Sequence, residues 1–315
     1  MVKILSVDGG GIKGVIAVTI LDAIQKRMDY DKPLHEKVDI ITGTSTGGLI
    51  ACALTAPDES GNPRFGTKDL INIYRDLGET VFSSSFCHKI KTLWGLVGPR
   101  FPLSGLDSVL EGKLGKTKVS DALTEIVICT YDLLTRAPAI FSSKDKVLGE
   151  ISMKEASLGT ASVPSYFPSV KVNSIPGEYN LIDGGIFAVN PALSALSYVK
   201  SESPEETVSI ISIGNGNYNQ KLEYKDTKDW GMLQWAFPVT DVIIDSSSDA
   251  INFQTRTMCE ASGGKYVRLQ FDIPESLNDM ADASAENIEN LRIAAQKYVD
   301  ENPDMIDAAV EILKV

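Results

Sequence analysis

Two glycine-framed stretches carry residue types able to attack a carbonyl and hold the charge that forms. Gly43-Thr-Ser-Thr-Gly47 sets Ser45 between two glycines, directly between an apolar strand-like run and a small apolar helix-like run. On a tight strand-to-helix turn a serine holds its Oγ clear of the backbone, and glycines at Gly43 and Gly47 remove side chains that would collide there. The helix N-terminus behind it favours developing negative charge. A glycine-rich turn with an N-capping serine would read the same way, so this motif alone leaves both readings open. Asp8-Gly-Gly-Gly-Ile-Lys-Gly14 formally satisfies G-x-G-x-x-G. A dinucleotide site also wants an acidic residue about 20 positions on, at the end of the second strand. Here that place is taken by Thr42-Gly43, and Asp29 and Asp31 stand at the close of the first helix instead. Three consecutive glycines can equally aim backbone N–H groups at a point beside a neighbouring strand's C-terminal edge. That is where Ser45 follows the second strand, so the two motifs predict one place.

A nucleophilic serine needs a base, and the chain holds 2 histidines. His35 precedes the second strand while Ser45 follows it. Most of the residues between them are extended at about 3.3 Å each, which puts the two at opposite ends of the sheet. His88 lies in a segment of unusual composition that nothing fixes toward Ser45. The remaining candidate is a carboxylate. Asn180-Leu-Ile-Asp-Gly-Gly places Asp183 at the end of an apolar strand, followed by Gly184 and Gly185. Such an aspartate can be a turn-capping residue, or a base if partial desolvation raises its pKa.

The elements that must position these groups alternate. Strands are expected at Lys3–Val7, Val38–Thr42, Glu125–Tyr131, Ala139–Ser142, Leu181–Asp183, Thr207–Ile213 and Tyr266–Phe271. Helical periodicity fills the gaps, and the opening strand–helix–strand–helix run implies parallel neighbours joined by right-handed crossovers. The expectation is an α/β fold, a three-layer α/β/α sandwich with a mostly parallel central sheet. It is read as one domain over 1–315, with all motifs in about 1–215 and a helical portion over about 228–315. A chain of 42 acidic and 30 basic residues, net −12, argues against nucleic acid and against purely electrostatic attachment to anionic membrane. The four cysteines lack CxxC spacing, and no His/Cys/carboxylate cluster has ligand spacing, so no metal and no cofactor are expected. No signal-peptide core or membrane-spanning run is seen, which points to the cytoplasm. From Thr80 to Leu106 the chain carries no acidic residue but has Lys89, Lys91 and Arg100 among aromatics. A loop packed on the body is one account. The other is an amphipathic lip, with Phe86, Trp94 and Phe101 facing lipid.

Taken together, these motifs resemble those of the patatin-like acyl hydrolases. That family orders an Asp-Gly-Gly-Gly-x-Arg/Lys-Gly loop, a Gly-x-Ser-x-Gly and an Asp-Gly-Gly/Ala as residues 8–14, 43–47 and 183–185 do here. Glu111-Gly-Lys-Leu-Gly, Ala122-Leu-Thr-Glu-Ile-Val, Ala161-Ser-Val-Pro-Ser-Tyr-Phe-Pro168, Ser212-Ile-Gly-Asn-Gly and Asp279-Met-Ala-Asp-Ala-Ser-Ala-Glu-Asn287 are similar in order and kind. The resemblance implies a patatin-type hydrolase of lipid acyl esters, a phospholipase A or non-specific lipid esterase, in transient contact with a membrane surface and independent of calcium. It implies Ser45 as nucleophile and Asp183 as base, in a dyad without histidine. Gly9, Gly10, Gly11, Ile12, Lys13 and Gly14 would supply the oxyanion-hole amides, with Thr46. Val163 stands where the family usually has alanine, which would narrow an acyl pocket. A serine-dependent acyltransferase, or a storage protein with weak esterase activity, would carry the same motifs.

Overall fold

The structure is a computed structural model and describes residues 1–28, 32–81, 98–218, 221–235 and 238–314. The strands are β1 Val2–Val7, β2 Ile40–Thr44, β3 Glu125–Asp132, β4 Ala137–Ser142, β5 Val170–Val172, β6 Tyr179–Asp183, β7 Val208–Ile213 and β8 Tyr266–Leu269. They form an 8-stranded sheet in the order β5-β6-β3-β2-β1-β7-β8, with β4 also on β3. From β8 through β7, β1 and β2 to β3 every pairing is parallel. Such strands need helical crossovers, and these follow as α1 Gly14–Arg27, α2 Thr46–Thr55, α3 Thr67–Val81, α4 Leu103–Lys113, α5 Met153–Thr160, α6 Ala192–Glu202, α7 Pro238–Ala261, α8 Ala285–Glu301 and α9 Pro303–Lys314.

Period-two alternation along the strands divides the core into two layers. Ile4, Ile40, Val127 and Ile210 face one side and pack with Ala195, Leu196 and Val199 of α6 and Cys259 of α7. Leu5, Ile41, Ile126, Ile128 and Ile211 face the other, under α1, α2, α3, α4, α5, α8 and α9. Because both faces are covered, the central strands carry apolar residues on both sides, with buried hydroxyls such as Ser6, Thr42 and Ser212 among them. Every residue of α2 is buried, and its composition, Thr-Gly-Gly-Leu-Ile-Ala-Cys-Ala-Leu-Thr, lets it lie close to the sheet. The C-terminal portion is not purely helical in effect, since β8 extends the sheet beside β7. Arg27 on α1 clasps Asp307 on α9 through two bonds of 2.7 and 2.9 Å, tying those helices together on the surface. Among the described residues no helix is long and apolar enough to cross a membrane.

Two features differ from the sequence expectation. Val170–Val172 forms a short edge strand that three residues of alternating pattern were too few to announce. More consequential, β6 runs antiparallel to β3, with Thr130 opposite Asp183 and Asp132 opposite Leu181. The sheet is therefore mixed at the β4-β6-β5 end. Asp183 does not reach the site by ending a parallel strand. It gets there because β3 projects past β2, whose last residue Thr44 is opposite Cys129, so β6 joins one step further along and ends level with the turn after β2.

The proposed lip is corrected in part. Phe101 is 3% exposed and lies in the core beside Tyr166 and Phe167, so it does not face lipid. Its backbone N–H donates to the Tyr166 carbonyl at 2.8 Å. Phe86, His88 and Trp94 lie outside the described residues.

Candidate active site

Ser45 stands on the turn between β2 and α2 with φ 54° and ψ −126°, a left-handed backbone conformation rarely adopted by a serine. The strain is held from several sides. The Ser45 carbonyl accepts from Gly48 at 2.9 Å and Leu49 at 3.2 Å, starting the helix. Its N–H donates to Thr160 Oγ1 at 2.9 Å, and that hydroxyl donates to the Cys129 carbonyl at 2.6 Å. The flanking glycines are sterically required: a Cβ on Gly43 would overlap the Gly47 carbonyl, and one on Gly47 the Val7 carbonyl. Nothing in this bonding uses the serine side chain as a cap.

Asp183 is buried behind Ser45. Its N–H donates to the Ser162 carbonyl at 3.0 Å, and Oδ1 accepts from the Gly185 amide at 2.6 Å. The Ser45 hydroxyl acts on the carboxyl as a hydrogen-bond partner. Among the described residues Oδ2 has no partner of full hydrogen-bond geometry. Burial pushes the Asp183 pKa from 3.8 up to about 7, against the opposing pull of the Ser45 hydroxyl and the Gly185 amide. A Cβ on Gly184 would overlap the Cys129 carbonyl, which accounts for the first glycine after the aspartate, and one on Gly185 would come 3.0 Å from Asp183 Oδ1.

The loop Gly9–Gly14 runs beside this turn, as the paired motifs predict: a Cβ on Gly9 would lie 3.1 Å from Ser45 Cβ. Accounting for its amides narrows the expected set of donors. The N–H of Gly9 is taken by the Val189 carbonyl at 2.9 Å, that of Ile12 by Met280 at 3.0 Å and that of Lys13 by Gly10 at 3.2 Å. The Gly14 amide points at the Gly11 and Ile12 carbonyls. Gly9, Ile12, Lys13 and Gly14 are thus spent on the loop's own shape. The amides of Gly10, Gly11 and Thr46 have no acceptor among the described residues and remain free to meet a ligand. Gly11 needs its φ of 59° to turn under the Met280 carbonyl.

Ser45 opens into an apolar cleft beside the glycine loop. Gly11, Ile12, Ser45 and Thr46 form one wall. Leu49, Leu77, Val81, Leu106, Val163 and Phe167 form the rest, and Tyr74 bonds the Thr46 hydroxyl with its own. Val163, singled out in the sequence, therefore does line the space next to the serine. Lys13 points elsewhere, donating to Asn278 Oδ1 at 3.0 Å near the acidic side chains Asp241, Asp245 and Asp279. Burial lowers its pKa. His35 sits buried on the turn before β2, away from the cleft, and burial lowers its pKa too.

Sequence reasoning missed the supports. Thr160 closes a helical run without a motif of its own, and Arg268 hides as one charge inside a strand. Asn215, which donates to the Asp8 carbonyl at 2.6 Å, lies within the Ser212-Ile-Gly-Asn-Gly stretch and so had a signal.

Comparison with known proteins identifies the family. The model of the patatin-like phospholipase family matches residues 5–196. Patatin-like protein 2 of Arabidopsis thaliana is 34% identical, covering 94% of this chain and 81% of its own. Patatin-like protein 2 of Oryza sativa subsp. indica is 33% identical, covering 98% and 86%. A probable inactive patatin, 3-Kuras 1 of Solanum tuberosum, is 33% identical, covering 86% and 78%. Among solved structures, VipD from Legionella pneumophila aligns with a TM-score of 0.41 at 13% identity, covering 95% of this chain and 67% of that one. By the family match and the shared length of these relatives, the chain belongs to the patatin-like phospholipase family.

Proposed function

We propose that the chain is a serine lipid acyl hydrolase, a phospholipase A or non-specific lipid esterase, working through a Ser45–Asp183 dyad. The observation that carries this reading is one juxtaposition. A serine held at a strained strand-to-helix turn meets a buried carboxyl of pKa about 7, beside unengaged backbone amides at the wall of an apolar cleft. In this mechanism Ser45 Oγ attacks the ester carbonyl carbon while the Asp183 carboxylate takes its proton. The carbonyl oxygen, now negative, accepts from the Gly10, Gly11 and Thr46 amides, which need no reorganisation to receive it. Collapse breaks the bond to the leaving alcohol, which receives the proton from Asp183. Water then attacks the acyl-Ser45 ester, Asp183 takes a water proton, and the acid is released as Ser45 regains its hydrogen. No histidine is called on.

The cleft's aliphatic wall suits a fatty acyl chain. Contact with a lipid surface is supported by apolar side chains exposed near the site. Ile186 is three residues past Asp183 and 55% exposed, and Val242 and Ile243 are exposed on α7, the helix whose Asp241 and Asp245 act on Lys13 of the glycine loop. Those aspartates favour an uncharged or zwitterionic surface over an anionic one.

The test is hydrolysis of p-nitrophenyl butyrate and palmitate by wild type, Ser45→Ala and Asp183→Asn, all in EDTA. Turnover by the wild type that disappears in both variants is the expected result. Turnover retained by folded Ser45→Ala would refute the dyad, and none by a folded wild type would refute the hydrolase reading.

A further inference from the structure

Ser6, Ser212 and Arg268 are register partners across β1, β7 and β8, so their side chains stand abreast on one face of the sheet. Arg268 is the charged member of this row, and its guanidinium is nearly enclosed. Nη1 donates to Asp8 Oδ1 at 2.8 Å and to Ser212 Oγ at 2.8 Å, and Nη2 donates to Asp8 Oδ2 at 2.5 Å. Asp8 is 2% exposed and immediately precedes the three glycines. Its backbone is pinned as firmly as its carboxylate. The Asp8 N–H donates to the Ile213 carbonyl at 3.0 Å, and the Asp8 carbonyl accepts from Asn215 at 2.6 Å. Next in the chain, the Gly9 N–H is fixed on Val189.

Stability alone is a weak reason for such a pair, because removing two charges from water costs about as much as their attraction returns, and apolar residues of the same size would serve. A forked guanidinium on a carboxylate does something apolar packing cannot: it fixes the carboxylate in both distance and plane. Two and three residues downstream of that anchor come the Gly10 and Gly11 amides, which have no backbone acceptor among the described residues, and Gly11 lines the cleft. An N–H donor to an oxyanion works only within a few tenths of an ångström of its place, so the anchor and the donors are mechanically linked. Neither Asp8 nor Arg268 lines the cleft itself. Arg268 also lies outside residues 5–196, the stretch matched by the family model.

We propose that Arg268 is a positioning residue for the acyl-transfer step, acting through its bidentate pair with Asp8 to hold the Gly10 and Gly11 amides at the oxyanion. The inference rests on the hydrolase reading above. In it the arginine touches no substrate, so its loss lowers kcat while leaving KM nearly unchanged.

The experiment measures kcat and KM on p-nitrophenyl butyrate for wild type, Arg268→Lys, Arg268→Gln and the double variant Asp8→Asn with Arg268→Gln, with Ser45→Ala as baseline. Circular dichroism and a melting curve accompany each. Arg268→Gln leaves Asp8 buried without its partner and is the variant most prone to misfold. The double variant removes both charges together, and Arg268→Lys keeps the charge but loses the fork. The expected result is a kcat about 10- to 100-fold down in the double variant, below the roughly 100- to 1,000-fold loss when an oxyanion donor is removed outright. KM should stay within about twofold of wild type. Arg268→Lys should restore part of the rate. A wild-type kcat in any folded member, or a rise in KM with kcat intact, would overturn the positioning role. Wild-type turnover no higher than that of Ser45→Ala would instead sink the hydrolase reading, so the two failures are separable.

Discussion

The titration of Asp183 offers the sharpest check on the proposed dyad, because in that reading one buried group sets both a rate and a stability. Its pKa of about 7 is raised by burial from 3.8. As a base it works only when ionised, so the active fraction is about one tenth at pH 6 and nine tenths at pH 8. The second-order rate constant kcat/KM on a soluble short-chain ester should therefore rise roughly 10-fold between those values and level off above pH 8. Stability should move the other way. A carboxyl whose folded-state pKa exceeds its unfolded one is stabilising when protonated, below pH 4, and that contribution is lost as pH rises from about 4 through 7. Three pH units at about 1.4 kcal/mol each come to about 4 kcal/mol by pH 8. Asp183→Asn, neutral throughout, should match the wild type in urea at pH 4 and exceed it by a few kcal/mol at pH 8 while being inactive. Ser45→Ala should push the carboxyl pKa higher still, since the hydroxyl is one of the groups that lowers it. A pH–rate profile flat from 5 to 9, or a single break near pH 4, would refute the reasoning. So would an Asp183→Asn variant less stable than wild type at pH 8.

Other substitutions probe the scaffold of the same site. Gly47→Ala should cost about 1–3 kcal/mol or prevent folding, because its Cβ has no room beside the Val7 and Asp8 carbonyls; the urea midpoint reads this. Thr160→Val removes the acceptor of the Ser45 N–H and should lower kcat about 10-fold, the cost of one buried donor left unpaired, with little change in KM. Val163→Ala widens the cleft next to Ser45. It should raise the ratio of kcat/KM for the palmitate over the butyrate ester several-fold, on the scale set by a methylene or two of pocket. A ratio unchanged within error would place the acyl chain elsewhere. Turnover should persist in EDTA and gain nothing from added calcium.

The parts of this site that were legible in the sequence are those written in residue type and local spacing. Gly43 and Gly47 announce a turn too tight for any Cβ, and the overlap of their Cβ positions with Gly47 and Val7 carbonyls is the physical content of that spacing. The central strands were legible because both faces are covered, so apolar residues dominate them. What the sequence does not display is pairing at a distance. Asp183 can be singled out as an aspartate at a strand end, but the usual reason, that parallel strands gather their C-termini at one edge, does not apply to an antiparallel β6. Its place follows from register, with Thr130 opposite Asp183 and Cys129 opposite Thr44. Register is set by which faces bury what across the whole sheet, and no local window contains it. The same holds for the amides of the glycine loop. Six consecutive residues look equivalent as donors, and while Lys13 and Gly14 are engaged by carbonyls of the loop itself, Gly9 and Ile12 are engaged by Val189 and Met280, far along the chain. Arg268 is the extreme case, since a lone arginine in Tyr-Val-Arg-Leu looks like a solvent-facing strand residue until Asp8 is known to lie across β7 from it. The sequence thus names the groups that could do chemistry, while the long-range pairings decide which of them have a free hand to do it.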